Sequence, residues 1–382
     1  MGLKNFVKKH SFFYSIYYYL FSFFINFLKL FVRTDDKLIL FVSYGGRHYS
    51  DSPMVIHKAM LEDPRFKDCK IIWAFNKPSD FPNLNAIKID TLKYYICAIK
   101  ARCWITNVMV ERALNFTGKH TFYFYTTHGV LVKKGGYDLP KDSAFNTKAK
   151  YKYECSLAQS EEEAKYLATQ IGLPKEKIYL YGFPKNDILA NYTNDFRESI
   201  REKLGIPKDK KAILYAPTFR EYSGVMYDDF CINLELLEKE LSNDYVLLYR
   251  AHPVVSDSSN VKSNFVINVS KYEVVEELMI ASDLLISDYS GIIFDYSLMR
   301  KPTYLFTYDY DKYANFRGLY FDIRQELPYA STEQGIIDLI KSYDEKQQEI
   351  FNAFQLKYAT YFGNATKQCL DLIYQEMQKK KK

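Results

Sequence analysis

Two successive blocks of short apolar runs, each run followed by a helix-like or turn-rich stretch, constrain this chain more than any other feature. The first block opens with Lys37–Ser43 (KLILFVS), a continuous apolar run of the kind demanded by a strand buried on both faces. A helix is expected from Pro53 to about Leu61, then strands at Lys70–Ala74, Ala86–Ile89, Cys103–Asn107 and Thr121–Thr126. A strand near Tyr153–Ala158 and a helix opened by Ser160 follow. A serine cap with acids in the first turn satisfies free backbone N–H groups and suits the helix dipole. Ile178–Tyr181 closes the block.

Residues 190–210 are polar, and Gly205 and Pro207 end a helix there, which marks a connection between two lobes. A second series then runs through strand Ala212–Tyr215, helix Asn233–Leu241, strand Val246–Arg250 and a short strand near Phe265–Val269. Helix Tyr272–Ala281, strand Leu284–Ser287, helix Ser290–Met299 and strand Thr303–Phe306 come next, and Glu333–Lys379 reads as mostly helical. Strand–helix alternation in two blocks predicts an α/β protein with two doubly wound, Rossmann-like parallel sheets. At 382 residues the chain is too long for one ordinary domain, and its 48% hydrophobic content supplies two cores. The expected division is a membrane-associating segment over 1–33, a first lobe over 34–190, and a second lobe with terminal helices over 191–382.

The N-terminal segment Phe12–Leu28 carries no charge and lies between Lys8/Lys9 and Lys29/Arg33. It is short and tyrosine-rich for a spanning helix, which needs about 20 apolar residues. An aromatic helix lying in the headgroup region, held by basic flanks against an anionic membrane surface, is the expectation. The formal charge of +6 is modest, and no nucleic-acid-binding signature is present. Six dispersed cysteines without CxxC spacing indicate neither a zinc site nor a disulfide framework, which fits a reducing cytoplasm.

Chemistry-bearing residues recur where strands end. Leu284–Asp295 (LLISDYSGIIFD) runs from strand through a polar turn into a helix whose first N–H groups, with Ser290 and Gly291, suit a phosphate. Asp295 follows one turn later and suits a ribose or polyol hydroxyl. His128 follows one strand of the first block and His252 follows one of the second, each placed to take a proton or to contact a phosphate oxygen. Pro217, Thr218 and Arg220 follow the first strand of the second block, Arg250 precedes His252, and Lys185 sits in GFPKND after the last strand of the first block. Arginine and lysine there suit a diphosphate. No metal motif is recognised. Tyr308-Asp309-Tyr310-Asp311 reads as loop.

Taken together, FVSYGGRHYSDSP, THGVLVKKGG, YGFPKNDIL, ILYAPTFRE, RAHP, SDLLISDYSGIIFDY and KPTYLFTYDYDKYANFRGLYFD resemble the CDP-glycerol glycerophosphotransferase family of teichoic-acid primases and polymerases, from about Leu38 to Asp322. The resemblance implies a GT-B architecture, with the acceptor on the first lobe and CDP-glycerol on the second. It also implies a membrane-linked acceptor (undecaprenyl-linked or polymeric), no cofactor, and work at the cytoplasmic face of the cell membrane. His128 is similar to the family's base on the acceptor hydroxyl, and His252 to its partner at the donor phosphates. Lys185, Pro217, Thr218, Arg250, Ser290, Gly291 and Asp295 resemble donor-binding positions. Three departures bear on the polyol: Val130-Leu131 replaces threonine-proline, Gly291 replaces a second serine, and Lys185 stands where arginine is common.

Overall fold

A computed structural model describes residues 11–112, 114–127, 129, 131–139, 150–218, 220–222, 225–227, 232–250 and 263–379. The first sheet has seven parallel strands: β1 (Asp35–Val42), β2 (Lys70–Phe75), β3 (Ala86–Lys88), β4 (Ala101–Thr106), β5 (Phe122–Tyr125), β6 (Cys155–Leu157) and β7 (Ile178–Tyr179), in the order β3-β2-β1-β4-β5-β6-β7. Leu38, Leu40 and Val42 enter one core with Trp104 and Tyr123. Ile39 and Phe41 enter the opposite core with Trp73 and Phe124. A strand's alternation therefore feeds two cores, so the Leu38–Val42 stretch of β1 is apolar at every position.

The second lobe contains β8 (Lys211–Tyr215), the antiparallel pair β9 (Arg220–Tyr222) and β10 (Val225–Tyr227), β11 (Tyr245–Tyr249), β12 (Val266–Asn268), β13 (Leu284–Ser287), β14 (Thr303–Phe306) and β15 (Tyr329–Ala330). Its six-stranded parallel sheet has the order β12-β11-β8-β13-β14-β15. Both sheets are Rossmann-like: the chain winds outward one way, returns to the middle and winds the other way. Such sheets present ligands at the carboxyl ends of the strands flanking the reversal, here β1/β4 and β8/β13. The architecture is that of a GT-B-like protein.

Local signals account for the helix boundaries. Ser160 Oγ accepts from the Glu163 N–H at 3.1 Å and opens the helix Glu161–Ile171. Gly205, at φ 73°, closes the helix Asn194–Leu204 in the left-handed conformation that glycine adopts cheaply. The helix Tyr310–Arg317 stands partly where loop was expected, with Asp309 at its N-cap. The chain then returns to the first lobe: Cys369, Leu370 and Ile373 of the helix Ala365–Gln378 are buried beside Phe41 and Trp73 in its core.

The helix Ser11–Leu28 docks on the first lobe along one face. Ile25 is buried in that lobe's core, Asn26 Nδ2 donates to the Asn115 carbonyl at 2.7 Å, and the Asn115 N–H donates to Ser22 Oγ at 2.8 Å. Tyr19, Phe23 and Phe24 are exposed on it, as are Leu30 and Phe31 just beyond. No helix among the described residues is long and apolar enough to cross a membrane.

Candidate active site at the facing strand ends

Each sheet is bridged at its reversal by a bond from backbone to side chain. In the first lobe the Tyr44 N–H, just past β1, donates to Asn107 Oδ1, just past β4, at 2.8 Å. In the second, the Thr218 N–H past β8 donates to both Asp288 oxygens past β13, at 2.9 and 3.0 Å. Ser287 Oγ adds a bond to the Ala216 carbonyl at 2.7 Å. These bonds fix the turns that carry the candidate residues. Backbone strain gathers here as well, with φ of 44° at Tyr44, 64° at Asp51, 51° at Thr127 and 74° at Val132.

Lys185 and Asp295 join the lobes. Lys185 Nζ lies 2.7 Å from Asp295 Oδ2, with side chains 9% and 10% exposed, and Asn186 Nδ2 donates to Asp295 Oδ1 at 2.6 Å. Each Asp295 oxygen thus already accepts one hydrogen bond from the opposite lobe. Burial opposes the Lys185 charge, yet the nearby carboxylates of Asp295, Asp51 and Glu276, with Tyr44, hold its pKa well above the ordinary lysine value. Tyr44 Oη donates to Asp51 Oδ2 at 2.6 Å, and the Lys185 N–H reaches Ser52 Oγ at 3.5 Å. Glu276, on the helix Val275–Ala281, faces this cluster from the second lobe. Burial pushes its carboxyl up to about 7, against the pull of Lys185.

Arg250 sits on the same side. Its Nη1 donates to the Tyr272 carbonyl at 2.7 Å, and burial lowers its pKa while Glu276 and Tyr44 oppose that. Arg220 is almost fully buried between Asp288, at 2.8 Å, and Asp309, at 2.7 Å. The Tyr289 and Tyr313 rings lie 5.2 and 4.9 Å from its guanidinium. Arg220 therefore braces the site from behind, since its forked donors are committed to two carboxylates.

The six-residue helix Ile292–Ser297 is shorter than the sequence predicts and starts later, with Gly291 at its N-cap. Ser290 Oγ lies 3.5 Å from the Ile292 nitrogen, too far for a strong cap. A Cβ built on Gly291 would meet no heavy atom within 4 Å, so this turn opens on free space. Thr218 Oγ1 is buried and has no hydrogen-bond partner among the described residues. A hollow of about 440 Å³ lined by Phe122, Tyr153 and Cys155 shares no residue with this cluster.

Seven of the nine predicted site residues are therefore in view: Lys185, Pro217, Thr218, Arg250, Ser290 and Gly291 lie in turns that follow strands, Asp295 lies on the short helix after β13, and Lys185 meets Asp295 between the lobes. His128 and His252 lie outside the described residues. Sequence reasoning passed over Tyr44, Asp51, Glu276, Asp288 and Asp309. The Asp309 carboxylate, read as part of a loop, is a partner of Arg220 across 89 residues of chain.

Residues 24–375 match the family profile described as CDP-glycerol:poly(glycerophosphate) glycerophosphotransferase. The chain is 31% identical to a teichoic acid poly(glycerol phosphate) polymerase of Staphylococcus epidermidis, over 90% of this chain and 51% of that protein, so it spans about half of that relative's length. It is 29% identical to a teichoic acid glycerol-phosphate transferase of Staphylococcus aureus, over 87% of this chain and 91% of the other. The solved structure of the wall teichoic acid polymerase TagF superposes with a TM-score of 0.80 at 31% identity, over 90% of each chain. A UDP-GlcNAc 2-epimerase from Neisseria meningitidis, at 15% identity and a TM-score of 0.53 over 88% of this chain and all of that one, shares the fold alone. With matching residues running through both lobes and the strand-end turns between them, the chain belongs to the CDP-glycerol:poly(glycerophosphate) glycerophosphotransferase family.

Proposed function

We propose that this protein transfers glycerol phosphate from CDP-glycerol to a hydroxyl of a membrane-linked acceptor, in the synthesis of teichoic acid or a capsule-like polymer. The observation that carries the reading is the convergence of both bridged sheet reversals on the Lys185–Asp295 junction, in a chain of this family. The acceptor oxygen attacks the phosphorus that bears glycerol, the bond from that phosphorus to the CMP oxygen breaks, and CMP leaves. His128 takes the hydroxyl proton, and His252 with Arg250 offsets charge on the leaving phosphate. Thr218 and the open turn at Ser290-Gly291 hold the donor phosphates, and Asp295, positioned by Lys185, orients the polyol. Side chains supply this chemistry without a cofactor.

The helix Ser11–Leu28 and the residues after it rest the protein on an anionic membrane surface. Its exposed aromatics suit the headgroup layer, and Lys29, Lys119 and Lys152 lie close enough to influence one another's charge or that of a shared neighbour. This brings the acceptor's membrane anchor and the first lobe together at the cytoplasmic face.

The test is purified enzyme with CDP-glycerol and a panel of lipid-linked acceptors, read by mass spectrometry, with CDP-ribitol and CMP-sugars as competitors. An acceptor heavier by one or more glycerol phosphate units, with equivalent CMP released, is expected. Product only from CDP-ribitol or a nucleotide sugar overturns the donor assignment.

A further inference from the structure

The first lobe carries another hollow, of about 320 Å³, on the face of its sheet that receives the N-terminal helix. Trp104 and Tyr123, which share a core with Ile25 of that helix, line it together with Gly118, Lys119, Lys152 and Glu154. Lys119 precedes β5 and Lys152 precedes β6, so the hollow lies toward the amino ends of these strands, away from the turns after β1 and β4. A Cβ built on Gly118 would lie 1.8 Å from Thr121 Oγ1, so glycine is what lets this wall fold down onto β5.

The wall is tied to the helix. Asn115, four residues before Lys119, exchanges hydrogen bonds with Asn26 and Ser22. The Lys29 N–H donates to the Ile25 carbonyl at 3.0 Å, so Lys29 continues the helix one turn beyond Ile25, on the docked face. Phe27, Leu30 and Phe31 beside it are exposed.

The polar atoms of the floor are already engaged. Trp104 Nε1 donates to the Ala98 carbonyl at 2.8 Å, and Thr121 Oγ1 donates to the Ala101 carbonyl at 2.6 Å. Tyr123 Oη donates to Glu111 Oε2 at 2.7 Å and accepts from the Val110 N–H at 3.0 Å. By contrast, neither Lys119 nor Lys152 makes a hydrogen bond or ion pair among the described residues. The carboxylates nearby are Glu154 in the lining and Glu111, which burial pushes up to about 7. Burial lowers the Lys152 pKa, Glu111 pulls against that, and Lys29 and Lys150 add to it. Cations crowded in this way beside an apolar, exposed helix edge suit an anion that arrives with a hydrocarbon tail.

We propose that this hollow is a headgroup site, in which Lys119 and Lys152 bind the phosphodiester of an anionic phospholipid while Phe27, Leu30 and Phe31 lie among the acyl chains. It rests on the reading above that the helix Ser11–Leu28 lies at a membrane. Diffuse attraction to a charged surface has no fixed stoichiometry, whereas this hollow takes one lipid and thereby sets how the first lobe sits on the bilayer.

The experiment titrates the full chain, by calorimetry, with monomeric dihexanoyl-phosphatidylglycerol, with glycerophosphoglycerol (the same headgroup without acyl chains) and with inorganic phosphate. Co-sedimentation with phosphatidylglycerol vesicles runs alongside. Wild type is compared with the Lys119→Gln, Lys152→Gln double variant and with Lys239→Gln, Lys346→Gln, which removes equal charge from the second lobe. Thermal melting checks folding, and Lys119→Gln alone, at an exposed position, stands in if the double variant does not fold. The short-chain lipid is expected to bind wild type one-to-one, more tightly than either acyl-free probe. The hollow variant should lose about ten- to a hundredfold of that affinity, the range for lost charged hydrogen bonds, and the control none. Equal lipid affinity in wild type and the hollow variant overturns the site. So does vesicle binding without saturable binding of the monomeric lipid, which leaves diffuse attraction only. Inorganic phosphate that binds as tightly as the lipid makes this a free-phosphate site and overturns the lipid assignment. Wild type that fails to sediment with the vesicles overturns the membrane reading of the helix itself.

Discussion

The Lys185 ammonium and the Asp295 carboxylate meet at 2.7 Å from opposite lobes, and both are largely shielded from water. Neither charge has bulk solvent to fall back on, so the contact specifies how the lobes close more than it adds net stability. Replacing a well-packed buried pair with apolar residues is often neutral, whereas removing one partner strands the other.

Lys185→Met is therefore expected to destabilise the protein by about 3–5 kcal/mol, the usual cost of an uncompensated buried charge. Adding Asp295→Leu to it should recover part of that loss. Urea denaturation of the two single variants and the double variant gives the coupling, and an additive double variant would show that the contact has no energetic consequence. Turnover should fall in all three, because Asp295 borders the proposed donor site.

Glu276 supplies a pH dependence with a definite sign. Its carboxyl is raised to about 7 in the folded protein, above its ordinary unfolded value of about 4.3. The folded state holds the extra proton between those values, so this contribution to stability is complete below about pH 4 and is lost as pH rises through about 7. Glu276→Gln should gain stability relative to wild type as pH rises from 5 to 8, by roughly 1–3 kcal/mol over that interval. Denaturation midpoints at pH 5, 6.5 and 8 check this. A difference between variant and wild type that stays constant from pH 5 to pH 8 would contradict it.

The parallel sheets were readable in the sequence because strands buried on both faces must be apolar at every position. Leu284–Ser287 and Thr303–Phe306 were bounded correctly for that reason. The helix Leu92–Lys100 was missed because its Tyr-, Ile- and Cys-rich content masks helical periodicity, although Thr91 caps it by accepting from the Tyr94 N–H at 3.2 Å. Strand-end turns exposed Lys185, Thr218 and Arg250 as candidates. The partners that give them meaning were not legible: Asp295 lies 110 residues from Lys185, and Asp288 lies 70 from Thr218. Glu276 reads in sequence as an ordinary acid in a helix's first turn. Only the docking of the lobes turns it into a buried carboxyl facing a lysine.

His128→Ala is expected to cut kcat by roughly 10²–10⁴-fold, the usual contribution of a general base, while leaving CDP affinity largely intact. His252→Ala should lower turnover and donor affinity together, since its proposed partner is a phosphate. Steady-state kinetics alongside CDP titration separates the two outcomes. Wild-type-like turnover of His128→Ala would remove the base assignment.

Tyr19 and Phe23 are 70% and 73% exposed on the helix Ser11–Leu28, and Phe31, just after it, is 72% exposed. Folding does not depend on them, so their replacement by serine should leave the melting temperature in place. Each aromatic removed from a membrane interface forfeits up to about 1.5–3 kcal/mol of burial. The Phe23→Ser, Phe31→Ser double variant should therefore lose at least roughly tenfold in partitioning onto phosphatidylglycerol vesicles. Co-sedimentation with these vesicles and with neutral phosphatidylcholine vesicles measures both the loss and the share due to charge. Equal binding of variant and wild type would place the contact elsewhere.

Arg220 offers the sharpest separation of support from catalysis. Its guanidinium holds Asp288 and Asp309 together, and Asp288 in turn fixes the Thr218 N–H at the start of the proposed donor turn. Lysine keeps the charge but lacks the fork needed for two carboxylates at once. Arg220→Lys should cost roughly 1.5–3 kcal/mol, the worth of a charged hydrogen bond, and should raise the donor KM with a smaller change in kcat. Arg220→Met strands two buried carboxylates and should cost about 3–5 kcal/mol. Adding Asp309→Leu to Arg220→Met should restore some stability but not the donor KM, because Asp288 still lacks its brace. Denaturation and donor kinetics on this series test the point: full recovery of KM in the double variant would mean that Arg220 acts only through Asp309 and leaves the Thr218 turn untouched.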